Sequence, residues 1–276
     1  MDAIVQTRWV ARVLATSSLR YPGAMDRHDQ ELRAAFDGQA ERFERSPVQT
    51  DPAALSRLVA FASLPPSARV LDAGCGPGLV SEAFLAAGHR VHGVDLSGEM
   101  IGRARSRCAR FGERARFEQG SLFDLAPGPP YDAAVSRYVV HHVDDPLAFA
   151  RRQAELLRPG GVLLLCDQTG DPDQVRFRWH QKVERARDRT HTHHLTLGAL
   201  VDLLVASGLE AIRVDEEPFE LDFDEWFDRG TPAVPKAHVR GMLFTGGARG
   251  FAPEPLPGGA VRIRTWRALL RGVRPG

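Results

Sequence analysis

The sequence predicts an α/β fold with a mostly parallel sheet, and three observations carry that reading. Short apolar runs alternate with helical patterns, as βαβ units require. A glycine-rich loop, Asp72-Ala-Gly-Cys-Gly-Pro-Gly78, joins the first run to the first helix. The second run, His89 to Asp95, ends in a carboxylate. Loop and acid stand where sheets of this kind hold a nucleotide-sized ligand.

Taken in order, Val70-Leu71, Val91 to Val94, Arg116 to Glu118, Ala133 to Ser136 and Val162 to Cys166 are short strand candidates, and helical spacing fills 79–87, 98–111 and 145–157. Leu200 to Ala206 offers a further helix, Leu209 to Asp215 a sixth strand and Val261 to Trp266 a last strand. Ahead of them, residues 1–60 read as a helical extension. Within it His28 to Phe43 sets Leu32, Phe36, Gln39 and Phe43 at nearly helical spacing, either as a cover over the ligand or as an amphipathic helix packed on the sheet. Residues 61–276 form the main domain, with insertions near 170–197 and 219–259 placed to shape a second ligand's pocket. Ile4 to Leu19 is an exchanged arm or homodimer contact, or else packs on its own domain.

A chain of 276 residues, 43% hydrophobic, is ample for one core. With 36 basic and 35 acidic residues, a net charge of +1 gives no broad case for nucleic acid, and Arg103, Arg105, Arg107 and Arg110 read as a solvated helix face. No run is long and apolar enough for a membrane, and the opening residues lack a secretory signal, so a cytoplasmic location is expected. Cys75, Cys108 and Cys166 read as reduced thiols.

Glycines at 74, 76 and 78 let the backbone turn and approach a ligand, while Asp72 can fix the loop or meet a cationic group. A dinucleotide fingerprint would need glycine at 79, which is Leu. Asp95 fits a ribose-binding acid; the alternative is a helix cap.

From Arg69 to Gln168 the chain resembles the class I S-adenosylmethionine-dependent methyltransferases. The likeness rests on Leu71-Asp-Ala-Gly-Cys-Gly-Pro-Gly78, on Asp95, on Ser136-Arg-Tyr-Val-Val-His-His-Val-Asp-Asp-Pro146 and on Leu156-Leu-Arg-Pro-Gly-Gly161. Within the family it is most similar to bacterial enzymes that methylate sugars and natural products. The resemblance implies a Rossmann-like seven-stranded sheet between two helical layers, mostly parallel, with an antiparallel last strand between strands five and six. It also implies S-adenosylmethionine as cofactor, held by Asp72, Gly74, Cys75, Gly76, Gly78, Asp95, Leu96, Ser121, Leu122, Ser136 and Arg137. Ser121 stands near the place where related enzymes commonly carry an acid, so a serine hydroxyl, the Leu122 backbone or Asp124 would have to substitute. Arg137 could meet the methionine carboxylate, clamp an acidic acceptor or form a buried ion pair.

In the sugar O-methyltransferases that the chain resembles, the first histidine of the His-His segment and the acid ending strand five match His141 and Asp167, as base and helper. A histidine can take the proton of an acceptor hydroxyl as its oxygen attacks the sulfonium methyl. His142, His191 and His194 are expected at the acceptor, and no metal, because His-Thr-His-His194 lacks a convincing carboxylate or cysteine partner. The resulting expectation is O-methylation of a small molecule, glycosylated or polycyclic, in natural-product biosynthesis. N- or C-methylation, or a non-catalytic cofactor-binding partner protein, are the alternatives.

Overall fold

Strand β5 (Leu157–Gln168) shows why the sheet lies inside the molecule: Val162 through Cys166 are all at most 3% exposed. An unbroken apolar run is what a strand covered on both faces needs. Alternate residues go to opposite cores. Leu163 and Leu165 join Leu71, Ala134 and Leu270 under the helices at 146–156 and 197–206, whereas Val162, Leu164 and Cys166 join Val70, Val135 and Leu269 under those at 52–62, 79–86 and 98–108. The computed structural model describes residues 27–126 and 128–276, so the Ile4 to Leu19 expectation lies outside the described residues.

The other strands are β1 (Arg69–Ala73), β2 (Arg90–Asp95), β3 (Ala115–Gln119), β4 (Tyr131–Arg137), β6 (Glu210–Asp222), β7 (Phe251–Pro255) and β8 (Val261–Val273). Their order is β3-β2-β1-β4-β5-β8-β6, with β1 to β5 parallel and β8 antiparallel between β5 and β6. Strand order reverses between β1 and β4, which opens the ligand crevice at their carboxyl ends. The expected helices appear at Leu79–Ala86, Gly98–Cys108 and Pro146–Leu156, capped in the last two cases by Ser97 and Asp145. Ser97, rather than Asp95, is thus the helix cap.

Among the described residues the sheet has eight strands where seven were expected. β8 runs to Val273, past the expected end at Trp266; only Arg267 to Val273 pair with β5. Its first half, Val261 to Thr265, extends beyond the end of β5 and is flanked there by β7. β7 is short and carries Pro253 and Pro255, so its residues give little strand signal.

The two insertions share a core of their own: Val183 from the first packs with Phe223, Trp226, Val239, Leu243 and Phe251 from the second, and with Ile263 of β8. They build one cap at the edge where the crevice opens. Among the described residues no helix is long and apolar enough to cross a membrane.

Candidate active site

The glycine loop leaves β1 and enters helix α1 (Leu79–Ala86) through three residues at positive φ, Gly74, Gly76 and Gly78. A Cβ on Gly78 would lie 3.0 Å from the Ala104 backbone, so Gly78 supplies the close approach that a third fingerprint glycine would give, and Leu79 is free to be large. A Cβ on Gly74 would meet Val139 at 2.7 Å. The loop borders a cavity of about 1150 Å³, counting its open mouth. Asp72, Gly74, Cys75, Gly76, Asp95, Leu96, Ser121, Leu122 and Arg137 line it. Gly78 and Ser136 do not; Ser136 is buried behind the wall, with its hydroxyl unpartnered. Asp124 is also absent from the lining, so of the substitutes weighed for the missing acid Ser121 and Leu122 are the ones in place.

Asp95 organises one side, its two oxygens accepting from Gly76 N (2.8 Å) and Ser97 N (2.9 Å). Asp72 accepts the Ser81 hydroxyl at 2.6 Å. Burial raises the Asp72 carboxyl to about 7, with Asp95 adding to the rise and Ser81 opposing it. A cation brought into the cavity would relieve that unfavourable charge. Burial likewise pushes the Cys75 thiol well above its ordinary range, which makes it an inert loop residue.

Helix α2 (Arg27–Arg45) brings Asp29, Leu32, Phe36 and Phe43 to the cavity. It is fastened on both sides: Ser97 donates to Asp37 (2.6 Å), Gln39 to Thr231 (2.5 Å), and Glu44 takes Arg103 and Arg107. Arg107 and Arg110 also reach Glu82, so this arginine group ties α2 and α1 to helix Gly98–Cys108. Arg137 donates to the carbonyls of Val48 and Gln49 at 2.9 Å, holding the end of the extension against β4. Its planar fork is largely committed there, which sequence spacing did not reveal.

A smaller cavity, about 490 Å³, adjoins the first and shares Phe43, Gln49, Tyr138 and His142 with it. His141 and His194 line this smaller space. The carboxylate ending β5 meets the loop after β4: His141 Nδ1 lies 2.6 Å from Asp167 Oδ1, and the His141 backbone N–H points to Oδ2 at 3.3 Å. Nδ1 donates, leaving Nε2 as the nitrogen available to a substrate. Burial would depress the His141 pKa, but Asp167, with Glu184 and Asp188 adding to it, more than offsets this and the net shift is upward. Asp167, despite burial, is held below its ordinary range by His141.

His142 stands at the junction of the two cavities, its Nδ1 3.1 Å from the Thr190 carbonyl. Burial and then the neighbouring His141 lower it to about 3, so it remains neutral. His191 lines neither cavity: its Nε2 donates to Gln181 Oε1 at 3.0 Å, and its ring supports those of His141 and His194. Several residues of this second space escaped the sequence reading. Tyr138, at φ +58 just past β4, borders both cavities, and Glu184, Arg187 and Trp226 arrive from the cap. A signal for Glu184 existed, since it lies one helical turn after His180.

A family model described as a methyltransferase domain matches residues 48–214. A ubiquinone biosynthesis O-methyltransferase from Xanthomonas campestris is 40% identical over 117 residues, 42% of this chain and 48% of that protein, so the chain spans about half the length of this relative. An uncharacterised methyltransferase of Bacillus subtilis, YcgJ, is 29% identical over 201 residues, 72% of this chain and 79% of its own; its crystal structure superposes with a TM-score of 0.73, covering 81% of this chain and 99% of that one at 27% identity. A phosphoethanolamine N-methyltransferase of Haemonchus contortus, solved with S-adenosylmethionine, shares the fold at TM-score 0.64 and 16% identity, over 93% of this chain and 62% of that chain. A domain match across more than half of the chain, on this strand order, makes it a member of the class I S-adenosylmethionine-dependent methyltransferases.

Proposed function

We infer that the protein methylates a hydroxyl of a small molecule, with His141 as general base and Asp167 as its support. The observation that carries this is the 2.6 Å His141–Asp167 pair, whose imidazole lines a cavity that shares four wall residues with the one bordered by the glycine loop. S-adenosylmethionine occupies the larger cavity, its ribose hydroxyls at Asp95, its cationic methionine end near Asp72, and its adenine beside Ser121 and Leu122. α2 covers it. The acceptor enters the smaller cavity, where Phe43, Phe219 and Trp226 offer ring faces suited to a polycyclic or glycosylated natural product.

In the chemical step the acceptor oxygen attacks the methyl carbon, the carbon–sulfur bond breaks, and S-adenosylhomocysteine departs. The hydroxyl proton passes to His141 Nε2, and the ionised Asp167 stabilises the imidazolium that forms. Alignment within the two joined cavities supplies much of the remaining rate. The O-methyltransferase name of the Xanthomonas relative supports oxygen as the acceptor atom.

The test is transfer of isotopically labelled methyl from S-adenosylmethionine into a fractionated cell extract, run with wild type and with His141→Ala. Label in a low-mass product made by wild type and lost in the variant is expected. Label confined to protein or nucleic acid would end this reading.

A further inference from the structure

Helix α3 (Gln174–Arg187) carries His180 and Glu184 one turn apart, and the loop after it returns His194 to the same spot. Glu184 Oε1 lies 3.4 Å from His180 Nε2 and 3.3 Å from His194 Nε2, and the three donor atoms all fall within 4.8 Å of one another. The side chains are 0%, 3% and 2% exposed. Yet none of these atoms makes a hydrogen bond: both nitrogens of His180, both of His194 and Oε1 of Glu184 are orphaned. Buried polar atoms are nearly always partnered, and three of these five, one from each residue, converge on one point, which marks the place of a shared partner.

Two imidazole nitrogens and a carboxylate oxygen facing one another are the donor set that a cation takes. Glu184 is a buried carboxylate whose ion-pair contacts among the described residues are these two imidazoles. The guanidiniums nearby are engaged elsewhere, Arg187 by the Trp226 carbonyl and Asp188, Arg229 by Glu225. The donors are also held in position. His180 stacks on Phe251 with ring centres 4.6 Å apart, and the His194 backbone N–H is fixed on Gln181 Oε1 at 3.0 Å.

We propose that His180, Glu184 and His194 form a zinc site with a fourth position open toward the smaller cavity. Two imidazoles and a carboxylate suit Zn²⁺, whose bonds to such donors run about 2.0–2.2 Å. The edge of a tetrahedron is ~1.63 times its bond length, so neighbouring donors should lie ~3.3–3.6 Å apart. The two edges to Glu184, 3.4 and 3.3 Å, meet that spacing, and the third, between the imidazoles, lies within 4.8 Å. Glu184 supplies the carboxylate that the local His-Thr-His-His spacing lacked, from one helix earlier. Glu184 and His194 both line the smaller cavity beside His141, so the open position takes an oxygen donor there, water or an acceptor hydroxyl. Three protein ligands with one open position is the pattern of a working rather than a purely structural zinc. The site stands on these donors whichever acceptor is methylated.

The experiment titrates the chelator-stripped full chain with Co²⁺, followed by Zn²⁺. One equivalent of Co²⁺ should give the visible absorption bands of a four-coordinate ion, and Zn²⁺ should bleach them. Glu184→Gln and His180→Ala should weaken binding by more than about a hundredfold, beyond the loss from removing a group that merely orients a ligand. Retained S-adenosylmethionine binding reports that these variants are folded. His141→Ala should keep the bands, because His141, Asp167 and His194 form the competing donor set. Absence of bands and of bound zinc in wild type overturns the proposal whatever the variants do. So does their persistence in Glu184→Gln, or their loss in His141→Ala alone.

Discussion

Asp167→Asn tests the base directly, because it removes a charge while keeping the shape of the side chain. The carboxylate holds Nδ1–H of His141 at 2.6 Å and takes the backbone N–H of Gln168 at 2.8 Å on the same oxygen. An asparagine oxygen can keep both of these bonds, and only the longer one from the His141 backbone N–H to Oδ2, at 3.3 Å, is lost to the amide nitrogen, so the fold should survive. What disappears is support for the imidazolium formed as the hydroxyl gives up its proton. The pair is 14% and 3% exposed, so water cannot take over that role. A hydrogen bond to a charged group is worth about 1.5–3 kcal/mol against about 0.5–1.5 for a neutral one, and a buried charge left without its partner adds a penalty of about 1–3. A combined loss of ~3–4 kcal/mol corresponds to a fall of ~10²–10³ in kcat, inside the range of general-base contributions. The assay is steady-state turnover with saturating acceptor across a pH series, with S-adenosylmethionine affinity measured in parallel. In wild type kcat should rise with pH through the elevated His141 pKa, since only neutral imidazole accepts the proton. In the variant that rise should move to lower pH, because burial then meets only the weaker pull of Glu184 and Asp188, while cofactor affinity holds. A kcat within about threefold of wild type, with the same pH profile, would refute the reasoning.

Three further outcomes follow from the same geometry. S-adenosylmethionine affinity, measured by calorimetry, should strengthen as pH rises through about 7 and then level off, because a cation binds the ionised Asp72 better; Asp72→Asn should flatten that dependence. Gly78→Ala combines φ +83 with a Cβ 3.0 Å from the Ala104 backbone, and should cost about 1–3 kcal/mol of stability, read as a lower midpoint in urea. Phe251→Ala empties the centre of the cap core and should cost about 3–5 kcal/mol, with limited proteolysis cutting first between residues 219 and 259 if the two insertions share one core.

The parallel half of the fold was legible because its strands are buried on both faces. Val162 to Cys166 and Ala133 to Val135 announce themselves as apolar runs, and glycines 74, 76 and 78 punctuate the turn between β1 and its helix. The cap was legible only as length without pattern. Phe251 to Pro255 is strand because β8 overhangs the end of β5, a tertiary circumstance that local propensity cannot encode. The same division holds for the site. Meeting of His141 with Asp167 follows from adjacent parallel strands delivering their ends to one edge. By contrast, the commitment of Arg137 to Val48 and Gln49 depends on how the extension docks, and His191 turned toward Gln181 because helix α3 packs beside it.

The central claim is that the methyl group reaches oxygen on a small acceptor held beside His141. The most direct measurement is the atom bonded to the transferred carbon, read by NMR from the product made with ¹³C-methyl S-adenosylmethionine. A ¹³C-methyl on oxygen, formed by wild type and lost with His141→Ala, is the predicted result; a methyl on nitrogen or carbon, or undiminished O-methylation by the variant, would contradict it.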